Sequence, residues 1–191
     1  MENNDDLSGL IGRRITQKRA GLDLTLDQLA ERTGVSRAMI SRIERGESHA
    51  SAVVLNKLSG GLGISLSTLF AGEDAPVSPL LRLADQPCWR DPASGYLRRD
   101  VSPPGTGSPV QIVEVEFPAG AEVAFDNFAQ KLIDQHIWLL EGEMELEQAG
   151  VTHHLRPGDC LHMRLGARNT FRNPGNKPAR YAVILTMEPM R

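Results

Sequence analysis

The stretch TLDQLAERTGVSRAMISRIERG, residues 25–46, reads as two short helices separated by a tight turn. Thr25 is a good N-cap, and Gln28 completes a Thr-x-x-Gln capping box, each residue satisfying a backbone N–H of the other. Leu26, Leu29 and Ala30 then share one helical face. Gly34 can take the left-handed conformation that ends a helix, and Val35 is an apolar anchor for the turn. Ser36 is a second N-cap. The helix it opens runs to about Arg45, burying Ile40 and Ile43 with Met39 at their flank, and Gly46 stops it. Helices joined by so short a turn must cross steeply, so one supports while the other projects.

This is the helix-turn-helix arrangement, which sets one short helix in the major groove and makes duplex DNA the expected partner. The run LAERTGVSRAMISRIERGES resembles the lambda-repressor-like DNA-binding domain of the xenobiotic-response-element family of bacterial regulators. The Leu-Ala pair, the Gly-Val-Ser turn and the Ile-Ser-x-Ile-Glu-x-Gly end stand together at the family spacing, and the likeness spans residues 7–72. An all-α head of five helices is expected. The first covers residues 7–20, with Leu7, Leu10, Ile11 and Ile15 inward. The fourth covers about residues 52–59 behind the cap Ser51, and the fifth starts after Ser65 and buries Leu66, Leu69 and Phe70. The chain departs from many relatives at Ala50-Ser51, where Pro-Thr or Pro-Ser is usual, and at Gly60 and Gly61, where alanine is usual. A helical glycine costs about 1 kcal/mol against alanine, which places the expected end of the fourth helix before them.

The resemblance also assigns DNA contacts. Arg37, Ala38 and Arg42 hold the base-reading positions of the projecting helix. Either arginine can bond a guanine edge at two points, and Ala38 can meet a thymine methyl. Ser36 caps the helix and can touch phosphate, and Ser41 can reach phosphate or base. Arg13, Arg45 and Lys57 are phosphate candidates, which add affinity but not sequence choice; a solvated surface is the alternative for Arg45 and Lys57.

A chain of 191 residues with 40% apolar content and a net charge of −3 allows one or two globular domains. Its charge is uneven. Residues 7–60 carry nine lysines and arginines against five aspartates and glutamates. A basic module in a slightly acidic chain suits a nucleic-acid binder. Cys88 and Cys160 are too far apart for metal spacing and form no disulfide framework. The polar, acidic N-terminus carries no secretory pattern, and no apolar run is long enough to span a membrane, so a cytoplasmic protein is expected.

Residues 71–79 are rich in Gly, Pro and acidic residues and read as an exposed linker. Beyond it the apolar period becomes two. QIVEVEF alternates apolar and acidic residues, and similar segments recur at 95–101, 122–125, 135–140, 143–147, 152–155, 160–164, 169–173 and 179–186, separated by Gly- and Pro-containing turns. Many short strands imply an all-β sandwich or barrel. The expected organisation is a head at 7–72, linker and leading strands at 73–107, and a barrel at 108–191.

Residues 137–173 are similar to the two motifs of the cupin (jelly-roll) barrel: Leu140-Glu141-Gly142 matches the end of the first, Pro157-Gly158-Asp159 the turn before the second, and Asn173 its closing asparagine. Metal-bearing cupins place two His and a Glu in the first motif and one His in the second. Counting from Gly142, the Glu position falls on Gln135 and the paired His positions fall near Phe128 and Gln130. The late His position is Asn169. None keeps its usual ligand, so the expectation is no metal, no cofactor and no conventional cupin enzyme. Alternation puts His136 opposite Gln135, while His162 either lines the cavity or faces water. The candidate effector pocket comprises Arg98, Gln130, Gln135, Trp138, His162, Asn169 and Tyr181.

The two resemblances together imply a dimeric regulator, most often a repressor, that binds near-palindromic DNA through its head and senses a small molecule in its barrel. A cupin enzyme fused to a DNA-binding head and an antitoxin-like protein-binding regulator are the alternatives.

Overall fold

A computed structural model describes residues 2–64, 66–70, 78–126, 134–164, 166 and 168–186. The head consists of α1 (Glu2–Gly21), α2 (Leu26–Thr33), α3 (Arg37–Glu44), α4 (Ala52–Gly61) and α5 (Leu66–Phe70). The capping box forms as expected: Gln28 N–H donates to Thr25 Oγ1 at 3.1 Å and Thr25 N–H donates to Gln28 Oε1 at 2.8 Å. Gly34 ends α2 with φ of 66°, and Ser36 caps α3 by accepting from Met39 N–H at 3.3 Å. Ile11, Ile15, Leu29, Ile40, Ile43, Leu55, Leu58 and Leu69 make the centre of the head.

Two helix ends differ from the sequence reading. Helix α1 begins at Glu2 rather than near Leu7, since residues 2–6 contain neither Gly nor Pro to stop it. Helix α4 runs through Gly60 to Gly61. A Cβ on Gly61 would lie 2.3 Å from Thr33 Cγ2, so glycine is what lets α4 pack closely on α2. Packing overrides propensity here. Helices α1 and α3 meet just as tightly at Gly12, where a Cβ would fall 2.3 Å from the Ile43 carbonyl oxygen. Beside this crossing Arg19 grips Glu44 through two hydrogen bonds, of 2.7 and 2.9 Å, and donates a third to the Leu24 carbonyl at 2.9 Å.

After a 3-10 turn at Leu83–Asp85 come, among the described residues, ten strands: β1 (Cys88–Arg90), β2 (Leu97–Asp100), β3 (Val110–Phe117), β4 (Glu122–Asp126), β5 (Asp134–Glu141), β6 (Met144–Gln148), β7 (Val151–Leu155), β8 (Cys160–Arg164), β9 (Arg168–Arg172) and β10 (Ala179–Thr186). The turn and β1 were not foreseen; three residues carry too little period to read. The strands form two antiparallel sheets, one in the order β1-β2-β3-β10-β5-β8 and one in the order β4-β9-β6-β7. Strands β1 and β2, in the stretch read as linker and leading strands, are integral to the larger sheet. Most of the stretch read as linker, residues 71–77, lies outside the described residues.

The sheets pack face to face because each strand alternates. In β5, Gln135, Ile137 and Leu139 are buried while His136 and Trp138 are exposed. In β9, Asn169 and Phe171 are buried between exposed Arg168 and Arg172. Val113, Val115, Phe117, Met144, Leu146, Met163 and Tyr181 complete the core between the sheets. Gly142, with φ of 83°, turns β5 into β6 where a Cβ would lie 2.7 Å from Ala179 Cα.

Candidate DNA interface and barrel interior

The projecting face of α3 is built by its cap and its buried side. With Ser36 fixing the first turn and Ile40 and Ile43 packed inward, Ser36, Arg37, Ala38 and Arg42 are exposed, and Ser41 is half-buried beside them. Arg37 Nε stands 3.3 Å from Asp27 Oδ1 on α2, a solvated pair that a guanine edge can displace at little cost. Among the described residues Arg42 makes no direct ion pair, although its charge helps to lower the Glu47 pKa, and its exposed guanidinium can reach a base edge. Arg45 is held differently. Its Nε donates to Glu47 Oε1 at 2.7 Å and a further hydrogen bond goes to Ser41 Oγ, so the sequence reading of Arg45 as a free phosphate contact meets an acidic competitor. The same bond raises the Arg45 pKa and lowers that of Glu47. Arg13 is exposed on α1 and Lys57 is half-buried on α4.

The candidate pocket residues divide. Arg98, Gln135, Asn169 and Tyr181 are buried and face inward. Trp138 and His162 do not: Trp138 is 47% exposed and the His162 side chain 52%. Both point out from the larger sheet, and both are withdrawn from the pocket. The parity argument that turned His136 outward applies equally to Trp138, which shares its face. His162 Nε2 lies 3.1 Å from Asp134 Oδ1, Arg164 Nε donates to the same oxygen at 2.9 Å, and the His136 ring is 5.0 Å from that of His162. Hydrogen bonds from Arg164, then His162, pull the Asp134 pKa down. Gln130 lies outside the described residues, as does Phe128.

At the positions where metal-bearing cupins keep Glu and His, the barrel therefore presents two neutral amides, Gln135 and Asn169. This donor set does not fit a divalent metal, which wants imidazole or carboxylate. Among the described residues no group of three His, Cys, Asp or Glu side chains converges.

One part of the site was missed in the sequence. Asp91, 2% exposed at the end of β1, sends Oδ1 to the Ala52 N–H at 2.9 Å, so a carboxylate of the barrel caps the first turn of α4 in the head. Its other oxygen accepts from Ser94 N–H and Ser94 Oγ. Beside it the Phe70 ring of α5 lies 5.4 Å from Trp89, with Arg98 Cζ 5.3 Å from the Phe70 ring centre. Ring contacts continue through Trp89–Tyr96 at 5.9 Å, Tyr96–Phe117 at 5.8 Å and Phe117–Tyr181 at 6.3 Å into the barrel. Burial raises the pKa of both tyrosines, keeping their hydroxyls protonated. No sequence signal marks Asp91, because its partner is distant in the chain. Asp91→Ala leaves the buried Ala52 N–H without an acceptor and is expected to cost about 1–3 kcal/mol, read as a lower melting temperature and easier proteolysis between head and barrel. An unchanged melting curve would show that the joint contributes nothing.

The matches to known proteins follow this division. The helix-turn-helix family model matches residues 15–69 and the cupin domain model residues 113–185. The control protein C.MunI of a Mycoplasma species is 34% identical over 68 residues, covering 35% of this chain and 92% of that protein. The chain belongs to the helix-turn-helix regulator family. In this regulator a cupin domain follows the head, and one relative aligns along nearly the whole chain. The HTH-type transcriptional regulator SutR of Escherichia coli K12 is 21% identical over 195 residues, covering 95% of this chain and 97% of that one. A crystal structure of a helix-turn-helix family transcriptional regulator from Vibrio cholerae superposes with a TM-score of 0.80 at 22% identity, over 96% of this regulator and 98% of that chain. No helix among the described residues is long and apolar enough to cross a membrane.

Proposed function

We propose that this regulator is a cytoplasmic homodimeric repressor that binds a near-palindromic operator through α3 and releases or retains it according to a small molecule in the barrel. The observation that carries the reading is the joint between the parts. Asp91 caps α4, and the aromatic contacts run from Phe70 in the head to Tyr181 inside the barrel. A ligand that prefers one arrangement of the barrel over another would shift the setting of the heads by that difference in affinity. Dimerisation through the barrel would space two α3 helices about one DNA turn apart. The barrel is proposed to bind rather than catalyse, since Gln135 and Asn169 supply neither a metal site nor a general acid or base.

The test is a gel shift on the DNA upstream of the regulator's own gene, with and without a small-molecule extract of its cells, paired with sedimentation of the free protein. The expected result is a dimer that shifts this DNA well below the concentration needed for random DNA, with the shift altered by the extract. Equal affinity for both DNAs would overturn the operator reading. A shift indifferent to the extract would overturn the sensor reading, and a monomer would overturn the dimer.

A further inference from the structure

The inward face of β9 holds a polar group that the fold does not use. Asn169 is fully buried, and among the described residues neither its Nδ2 nor its Oδ1 meets a hydrogen-bond partner. Stranding both atoms costs their desolvation, so a chain selected for folding alone would carry an apolar residue of that size. On the other sheet Gln135 is also buried and faces inward. The surroundings are mostly apolar and aromatic; Gln148, the cross-strand neighbour of Asn169 on β6, already donates its amide N–H to the Arg164 carbonyl at 2.8 Å. Phe125 pairs with Asn169 across the strands and stands edge-on to Phe171 at 5.9 Å, and Phe171 stacks on Tyr181 at 6.2 Å. Met163 lies opposite Gln135. Formal charge on the inward face of the larger sheet is confined, among the described residues, to Arg98 and Asp100. These compensate each other at 3.0 Å on the strand nearest the head.

We infer that the barrel takes an uncharged ligand with a hydrogen-bond donor and acceptor side by side on a flat apolar body, the carboxamide, lactam or cyclic imide class. This rests on the sensor reading and names what is sensed. A primary amide offers one donor and one acceptor edge, and the group that satisfies both at once is another amide-like pair. Among the described residues the one inward cation of the larger sheet, Arg98, is already answered by Asp100, so a carboxylate would face the amide oxygens without a cation to spare, and an ammonium would leave the amide N–H groups stranded; either would also lose its own hydration in a largely apolar wall.

Benzamide, benzoate and benzylamine share a body and differ in charge. Saturation-transfer NMR on the full chain is expected to show benzamide bound to the wild type and benzoate and benzylamine not bound. Binding of benzamide should weaken about tenfold or more in Asn169→Leu and in Gln135→Met, which is close to Gln in shape. Asn169→Leu should also melt at a higher temperature than the wild type, since no polar atom is left stranded. Benzamide silent on the wild type, charged probes that bind as well, benzamide binding unchanged in both variants, or Asn169→Leu melting below the wild type would each overturn the inference. A cell extract that alters the operator shift while benzamide is silent overturns the ligand class and leaves the sensor reading standing.

Discussion

Gly12→Ala is expected to loosen or unfold the head. The added Cβ would sit 2.3 Å from the Ile43 carbonyl oxygen and 2.9 Å from that of Glu44, both backbone atoms at the α1–α3 crossing. Neither can swing away as a flexible side chain would, so the helices must separate. Separation would strain the Arg19–Glu44 pair, whose two side chains are only 18% and 10% exposed. Over-packing costs about 1–3 kcal/mol or more. The gain from alanine in a helix, about 1 kcal/mol, opposes this and is smaller. For a chain of this size a net loss of about 2 kcal/mol lowers the melting temperature by roughly 4–8 °C. Operator binding should fall with it, since α1 supports the recognition helix. Circular dichroism melts of the two proteins measure the effect, and a melting temperature equal to that of the wild type would mean that the crossing is not tight.

Arg42→Ala is expected to cost roughly 1–3 kcal/mol of operator binding, about 5- to 150-fold in affinity, and to relax sequence preference at one position. Arg42 is exposed on the same face as Ala38 and feels Glu47 only through space, whereas Arg45 is bonded directly to Glu47. The two arginines should therefore behave differently. Arg45→Ala should weaken operator and random DNA alike, and by less, because its charge is already partly answered within the protein. Competition gel shifts with single-position operator variants separate the cases. Equal losses on operator and random DNA for Arg42→Ala would count against base reading.

The head was legible because its signals are local. Thr25, Gln28, Gly34 and Ser36 act on backbone groups within a turn of themselves, and Ile40 and Ile43 declare the buried side of α3 by their spacing. The inward placement of Gln135 and Asn169 followed from the cupin resemblance, whose ligand positions they hold, and parity then set His136 on the opposite face. Trp138 shares the outward parity of His136, and the suitability of an aromatic ring for a pocket does not override it. The reading of His162 stayed open because parity ranks residues as same-face or opposite-face but does not say which face is inside until a strand's neighbours are known. Helix α4 was cut short for a related reason: propensity counts the cost of Gly60 and Gly61, and only the approach of Thr33 supplies the compensating contact.

The sequence by itself determined the helix-turn-helix, the change of period from helices to strands, and the replacement of charged donors by amides at Gln135 and Asn169, all properties carried by residue type and short spacing. Tertiary structure alone decided that Asp91 caps α4, that Phe70 and Trp89 join head to barrel, and that the Asn169 amide is left without a partner among the described residues. The physical reason is range. A cap or an alternation is set by neighbours a few residues away, whereas a joint between domains, or a stranded buried group, depends on which distant elements the packed chain brings together and which it leaves apart.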